Sequence, residues 1–356
     1  MVTFRLSEEK DYININNFYN RIYKADRTLD QFYWEFHNCP FGKAIYIIAE
    51  DDQKIVGTNC VIPINLINKN KKIILSGKSE DTLVDPEYRG QNIFHSIYDE
   101  LFSKCNELGI NIIWGFTSAQ KPFKKIGFSI PFHHEQSLIV NHIWKSYKYL
   151  SSLNSKNSNV KNLKILLLCF YSKFNFLLGF INVKKNNYKV VIDKIKLDQL
   201  TNLVENNISK EIDSFCINQS PEYLTWRIYS NPNYNKVHTY SFYDNNEKLI
   251  GCIILNSNIN SIAYIIQSSF ERSLPNSEKK IMLEYVVRNL FSIGICIIRN
   301  WHFDTNEYNK NEIDIYKKAK FIILKKGICF VWKDNNSNKI NPINFNLSRL
   351  SSQGTN

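Results

Sequence analysis

The chain has 356 residues, about twice the length of an ordinary domain, so two domains are expected, each able to bury its own core. A composition of 44% hydrophobic and 14% aromatic residues is that of a folded protein, and eight evenly spread cysteines with no C-x-x-C pair exclude a disulfide framework and a zinc site and read as buried thiols. The net charge of +12 is compatible with nucleic acid, an anionic membrane or a phosphorylated small molecule, but the lysines are scattered along the chain, so charge alone selects none of these.

Nothing at the N-terminus has the basic, apolar and small-residue order of a secretory signal, and a cytoplasmic location is expected. A short strand near Thr3 to Leu6 leads into helical stretches at Glu8 to Tyr23 and Asp30 to His37. Three segments rich in Ile and Val follow, Ala44 to Glu50, Lys54 to Leu66 and Lys72 to Val84, separated by polar turn residues such as Asp51-Asp52-Gln53, and they read as strands. A helix fits Asn92 to Leu108, because Ile93, Ile97, Leu101, Cys105 and Leu108 recur at helical spacing and Gly109 stops it. A strand at Asn111 to Phe116, a short helix near Lys121 to Ile126 and a strand after Phe128 complete the first set. Strands with interleaved helices define an α/β fold.

The chain carries a weak copy of itself at an offset of about 193 residues. Trp34 and Pro40 are echoed by Trp226 and Pro232, Lys54-Ile55-Val56-Gly57 by Lys248-Leu249-Ile250-Gly251, and Phe123-Lys124-Lys125-Ile126-Gly127-Phe128 by Tyr316-Lys317-Lys318-Ala319-Lys320-Phe321. Two homologous domains are therefore expected at 1–142 and 186–335, with a linker and apolar segment at 143–185 and a polar tail at 336–356. Within the connection, Ser151 to Val160 is a Ser/Asn/Lys linker. The apolar run Leu163 to Ile181 carries Lys164, Lys173, Ser172 and Asn175, which opposes a membrane span and leaves a helix packed between the domains or lying in an interface.

The segment with the most chemistry is Thr82-Leu83-Val84-Asp85-Pro86-Glu87-Tyr88-Arg89-Gly90-Gln91-Asn92-Ile93-Phe94, a strand ending in a proline turn that opens directly into a helix. The first turn of a helix presents unpaired N–H groups and the positive end of the dipole, so the amides of Gly90 to Ile93 suit a pyrophosphate. This Val-x-Pro-x-Tyr-Arg-Gly-x-x-Ile-Phe pattern resembles the acetyl-CoA pyrophosphate loop of GNAT acyltransferases. The later Phe123-Lys124-Lys125-Ile126-Gly127-Phe128 resembles that superfamily's short helix and Gly-Phe strand start. The resemblance implies tandem GNAT-like domains, each a mixed, mostly antiparallel sheet flanked by helices. It implies acetyl-CoA as co-substrate, no metal, and cofactor contacts from Leu83, Val84, Arg89, Gly90, Gln91, Asn92, Ile93, Phe94, Ser118 and Phe123.

Two departures stand out. Asn92 replaces the usual second glycine, and Asn tolerates left-handed backbone angles. Phe123 stands where many members carry a tyrosine that protonates the departing thiolate, so the acid is not at that position.

The family's acceptor amine approaches the fourth strand from the side opposite the pantetheine, which requires a base near that strand. Glu80 and Asp81 lie just upstream, and strand alternation would send them to opposite faces, with Glu80 preferred; the other reading is that both face solvent or pair with Lys78. The alternative source is His133, His134 and Glu135, with His134 as the candidate.

In the second copy the corresponding region, Ser268-Ser269-Phe270-Glu271-Arg272-Ser273-Leu274-Pro275-Asn276, has no Arg-Gly before its helix at Ser277 to Ile293, so CoA binding is not expected there. It keeps Ser220-Pro221-Glu222-Tyr223-Leu224-Thr225-Trp226-Arg227, which resembles the Tyr-Leu-x-Trp-Arg segment of tandem GNAT proteins of bacterial surface-polysaccharide pathways. With Trp34, the residues Tyr223, Trp226 and Arg227 are the candidate substrate contacts, the other reading of the aromatics being core packing.

The resemblance implies N-acetylation of a nucleotide-linked amino sugar, such as dTDP-4-amino-4,6-dideoxyglucose, with no nucleic acid and no stable membrane span. The oligomeric state stays open. Rival readings are acyl transfer to another amine, an aminoacyl-tRNA-dependent ligase, and a non-catalytic acyl-CoA-binding protein.

Overall fold

Most of the apolar periodicities translate into elements within one or two residues of their expected bounds, the exceptions being the first helix, which starts at Tyr12 after a short 3-10 turn at Glu9–Asp11, and the helix of the apolar run, which starts at Asn159. In the computed structural model, which describes residues 1–153, 159–179, 188–210, 213–303, 305–324, 327–335 and 340–352, strands run over Thr3–Leu6, Ile45–Asp51, Lys54–Asn68, Ile73–Val84 and Ile112–Thr117. Helices cover Tyr12–Tyr23, Leu29–Phe36, Ile93–Glu107 and Gln120–Lys125. The centre of the Ser/Asn/Lys linker (154–158), the last two residues of the apolar run (180–181), the expected domain start at 186 and parts of the tail (336–339 and 353–356) lie outside the described residues.

The chain divides into two compact units, and neither is one continuous stretch. The first contains Met1–Phe132, Glu211–Asn233 and Ile328–Phe345, and the second contains His133–Lys210, Tyr234–Gly327 and Asn346–Asn356. Contiguous domains at 1–142 and 186–335 were expected from the repeat, so the difference lies in short segments assigned across it.

In the first unit the strands order as Thr3–Leu6, Ile45–Asp51, Lys54–Asn68, Ile73–Val84, Ile112–Thr117 and Cys329–Asp334. All neighbours are antiparallel except Ile73–Val84 with Ile112–Thr117, which the helix Ile93–Glu107 connects as a crossover. The second unit repeats the arrangement with Lys189–Ile192, Lys236–Tyr243, Leu249–Ser257, Ile262–Phe270 and Ile297–Phe303, the last two again parallel. The strand beside Ile297–Phe303 is formed by residues 134–140. Each sheet thus takes the strand after its parallel pair from the sequence of the other repeat.

The repeated Gly57 and Gly251 have a packing cause. A Cβ on Gly57 would lie 2.8 Å from Ile97 and 2.9 Å from Ile93, and one on Gly251 would lie 3.0 Å from Met282. Each glycine lets the crossover helix settle on its sheet. Ile93, Ile97, Tyr98, Leu101 and Cys105 then bury against Ile47, Val56, Val61 and Ile113, each such side chain contributing about 1.5–3 kcal/mol. In the second unit the helix Asn276–Ser292 does the same with Met282, Leu283, Val286 and Leu290. All eight cysteines are free thiols and buried, as their spacing led us to expect.

Candidate active site

The pairing of the central parallel strands is short. Ser76, Gly77 and Lys78 pair with Ile112, Ile113 and Trp114, and among the described residues the ladder goes no further. From Ser79 to Val84 the strand keeps its partner on one side only, and it runs straight into the proline turn.

That turn is built by its own side chains. Asp85 Oδ1 accepts the N–H of Glu87, and Arg21 donates to Asp85 Oδ2 at 2.8 Å. Burial works against ionising Asp85, but the bonds from Arg21 and the Glu87 N–H outweigh it and hold its pKa below the usual carboxylate value. Gly90 has φ +86° and Asn92 has φ 63° at the N-cap of the helix starting at Ile93, so the asparagine adopts the left-handed conformation expected of it. Arg89, Gly90, Gln91 and Asn92 are exposed, whereas Leu83 and Ile93 are buried and Val84 and Phe94 pack against the same core.

Phe123 is 5% exposed, with ring centroids 5.7 Å from Phe94, 5.6 Å from Tyr98 and 5.2 Å from Phe128. Ser118 is exposed, and its carbonyl accepts the N–H of Gln120.

Midway along the strand a bulge changes the geometry expected for Glu80 and Asp81. The register slips between Thr58 and Cys60, and Asp81 takes φ 48°, so simple alternation does not hold there. Three groups hold Asp81 in place. Its Oδ2 accepts Arg27 Nη1–H at 2.7 Å and the Tyr46 hydroxyl at 2.8 Å, and its carbonyl accepts the Thr58 hydroxyl at 2.9 Å. Beneath the bulge the Tyr98 hydroxyl meets Ser79 Oγ at 2.9 Å and Thr82 Oγ1 at 3.1 Å, and both of these hydroxyls also donate to Asn59 Oδ1. Two buried donors beside this network, Arg27 Nη2 and Asn59 Nδ2, have no acceptor among the described residues. Buried donors of this kind are ordinarily met by water or a ligand.

Glu80 pairs with Lys78 Nζ at 2.6 Å. Burial raises the pKa of Glu80 while Lys78 pulls it back, and burial lowers that of Lys78 while Glu80 opposes the change. Glu35, on the helix Leu29–Phe36, makes no hydrogen bond among the described residues. Burial, reinforced by the Asp81 and Glu80 carboxylates, pushes its pKa up to about 8.

The sequence reading left out Glu35, Arg27 and Tyr46, whereas its alternative for Glu80, a pair with Lys78, is the one the structure shows. A glutamate between Trp34 and Phe36 was the available signal.

The two repeat-related tryptophans meet in the first unit. Trp34 and Trp226 stack at 5.5 Å with 29° between planes, and each indole N–H donates to the other's backbone carbonyl, at 2.8 and 2.7 Å. Tyr223 is 1% exposed and stacks on Phe41 at 5.4 Å, so core packing accounts for much of what these aromatics do. Arg227 is also buried, with its guanidinium 5.3 Å from the Trp34 ring, and its charge acts on both Lys78 and Glu80. Its local helix is widened to a π-turn over Thr225–Tyr229, a form that often marks functional sites. A cleft of about 660 Å³ opens beside the pair, lined among others by Asp30, Trp34, Asn38, Glu222, Thr225 and Trp226.

His134 belongs to the second unit, where it is 1% exposed, lies 4.1 Å from the Trp301 ring and touches the Gly327 position closely. It is packed as a core side chain, not presented to solvent. The second unit's strand-to-helix junction starts its helix at Asn276 after Pro275, without the Arg-Gly turn.

Residues 3–130 match the family model described as an acetyltransferase (GNAT) domain. The chain carrying that domain is an acyltransferase. No curated protein matches the sequence at a significant level.

Among solved structures, the chain is similar to a probable N-acyltransferase of unknown function from Enterococcus faecalis, with TM-score 0.66, 9% identity, and 94% of this chain and 73% of that one covered. It is also similar to a GCN5-related N-acetyltransferase from Anabaena variabilis, with TM-score 0.63, 10% identity and coverage of 94% and 73%. A tandem GNAT protein from the clavulanic acid biosynthesis pathway aligns over 95% of this chain and 100% of its own, with TM-score 0.57 and 11% identity. At such identities the likeness is one of fold: two GNAT-like α/β domains in tandem.

Proposed function

We propose that the protein is an acetyl-CoA-dependent N-acetyltransferase. Its proposed acceptor is the amino group of a nucleotide-linked amino sugar, dTDP-4-amino-4,6-dideoxyglucose being the first candidate, in surface-polysaccharide synthesis. The observation that carries the reaction is the strand Ile73–Val84, whose parallel ladder stops at Lys78 and whose free edge leads into the Pro86 to Asn92 turn. An extended pantetheine arm can pair with that edge while the pyrophosphate takes the amides of Gly90 to Ile93.

The amine nitrogen then attacks the thioester carbonyl carbon, a backbone N–H of the same edge stabilises the oxyanion, and collapse breaks the C–S bond to release the thiolate. Before attack the ammonium must lose a proton. Glu35 is the proposed acceptor, having no hydrogen bond and a pKa of about 8, with Glu80 held beside Lys78 to attract the ammonium. Asp81 holds the bulge through Arg27 and Tyr46 at its Oδ2, and the proposal gives it a positioning role. The buried His134 has no part in it.

The sugar assignment is supported by the resemblance of residues 220–232 and by a cleft that mixes an indole face with the carboxylates of Asp30 and Glu222. Thiol release from acetyl-CoA, measured against dTDP- and UDP-linked amino sugars with polyamines and a basic peptide as controls, tests it. Release with a nucleotide sugar alone supports the proposal. Release only with a polyamine or peptide moves the acceptor to another amine, and CoA binding without release from any member removes the catalytic reading.

A further inference from the structure

The helix Asn159–Gly179 is apolar on two faces. One face packs into the second unit through Ile165, Leu168, Cys169 and Phe176. The other carries Leu163, Leu167, Phe170, Phe174 and Leu178 at helical spacing, each between 47% and 61% exposed. Val160, Tyr171 and Leu177 widen the stripe, and Trp144 of the preceding helix, 62% exposed, stands with its ring 6.3 Å from Phe170. Side chains of this size, half exposed over five turns, form a patch on the order of several hundred Å², a size often found at functional surfaces.

The charge around this stripe is one-sided. From Gln136 to Ile192 the sequence contains no Asp or Glu, while Lys145, Lys148, Lys161 and Lys164 stand exposed on the two helices that bear the patch. A second copy of the same two helices would bring lysine against lysine with no carboxylate on either helix to pair, which disfavours self-association. No helix among the described residues is long and apolar enough to cross a membrane. An apolar stripe with a tryptophan at its border, on two helices that carry exposed lysines and no carboxylate, fits an anionic lipid surface, into which the apolar face sinks while the lysines meet headgroup phosphates.

We propose that the helices Ile143–Ser152 and Asn159–Gly179 form a docking surface by which the protein binds reversibly to anionic membranes, the longer helix lying in the plane of the interface. The inference is independent of the acceptor proposed above.

Co-sedimentation of the full chain with phosphatidylcholine vesicles, with and without about 30 mol% phosphatidylglycerol, tests it. The expected result is binding to the anionic vesicles only, reduced at least tenfold by about 0.5 M salt. Leu167→Asp with Phe174→Asp should abolish binding, and Lys145→Gln, Lys148→Gln, Lys161→Gln and Lys164→Gln together should weaken it at least tenfold. These side chains are exposed, and unchanged circular dichroism and acetyl-CoA binding in buffer establish that each variant is folded; Leu167→Ser with Phe174→Ser serves should the aspartates prevent folding. No binding to either vesicle, equal binding to both, or a dimer abolished by the apolar substitutions in the absence of lipid would each overturn the proposal.

Discussion

Arg27 and Asp81 provide the sharpest test of how the central strand is held. Their side chains are 9% and 7% exposed and meet at 2.7 Å, while the Arg27 guanidinium also lies 3.7 Å from the Tyr19 ring and donates to Asn16 Oδ1. Replacing Arg27 by Met leaves the Asp81 carboxylate buried with the Tyr46 hydroxyl as its remaining side-chain partner. Breaking a buried pair on one side costs about 3–5 kcal/mol, to which loss of the contact with Tyr19 adds about 1 kcal/mol. Asp81→Asn orphans the guanidinium instead and should cost about as much, because Asn still tolerates the left-handed angle at this position. The double variant leaves neither charge uncompensated, so its loss should fall short of the sum of the singles by about 2–4 kcal/mol. Urea unfolding followed by circular dichroism, with the slope constant across the four proteins, measures the cycle. Single losses below about 1 kcal/mol that simply add would refute the view that this pair fastens the bulge.

Glu35 should be visible in pH profiles. Its folded pKa of about 8 lies above the ordinary carboxylate value, so the native state holds its proton more tightly than the unfolded chain does. The associated stability is present below the ordinary carboxylate pKa and is lost as pH rises through about 8, so wild type should lose thermal stability relative to Glu35→Gln across that window. If Glu35 is also the base, kcat/KM should climb toward pH 8 in wild type and lose that inflection in Glu35→Gln; an unchanged profile would remove it from the mechanism. Gly90→Ala meets no atom within 4 Å but must hold φ +86°, so about 1–2 kcal/mol of strain should appear mainly as a raised KM for acetyl-CoA with kcat little changed. Trp34→Phe and Trp226→Phe each orphan one carbonyl and should lower stability by about 1–2 kcal/mol, with less than additive loss in the double variant, measured by the same urea titration.

Local signals were enough to place the strands, the crossover helix and the proline turn, because each depends on residues near in sequence: alternation, helical spacing, and a Pro-x-Tyr-Arg-Gly run with Asn92 able to turn left-handed. The repeat foretold two similar units for the same reason, since Gly57 and Gly251 answer the same helix-on-sheet contact. Which segment joins which unit was not legible. The strand beside Ile112–Thr117 is contributed by residues 329–334 and the one beside Ile297–Phe303 by residues 134–140, and strand pairing depends on edges that a linear pattern does not name.

The same limit applied within the site. Sequence spacing put Glu80 and Asp81 together and offered Lys78 as a partner, but a one-residue bulge decided their directions, and only the fold brought Arg27 to Asp81 and Glu35 within reach of their charges. The sequence by itself determined the elements and the proline turn that opens into the helix at Ile93, because short-range sterics and hydrogen bonds specify them. The tertiary structure decided the protonation of the buried carboxylates, because burial and charges distant along the chain set a pKa only once the chain has folded.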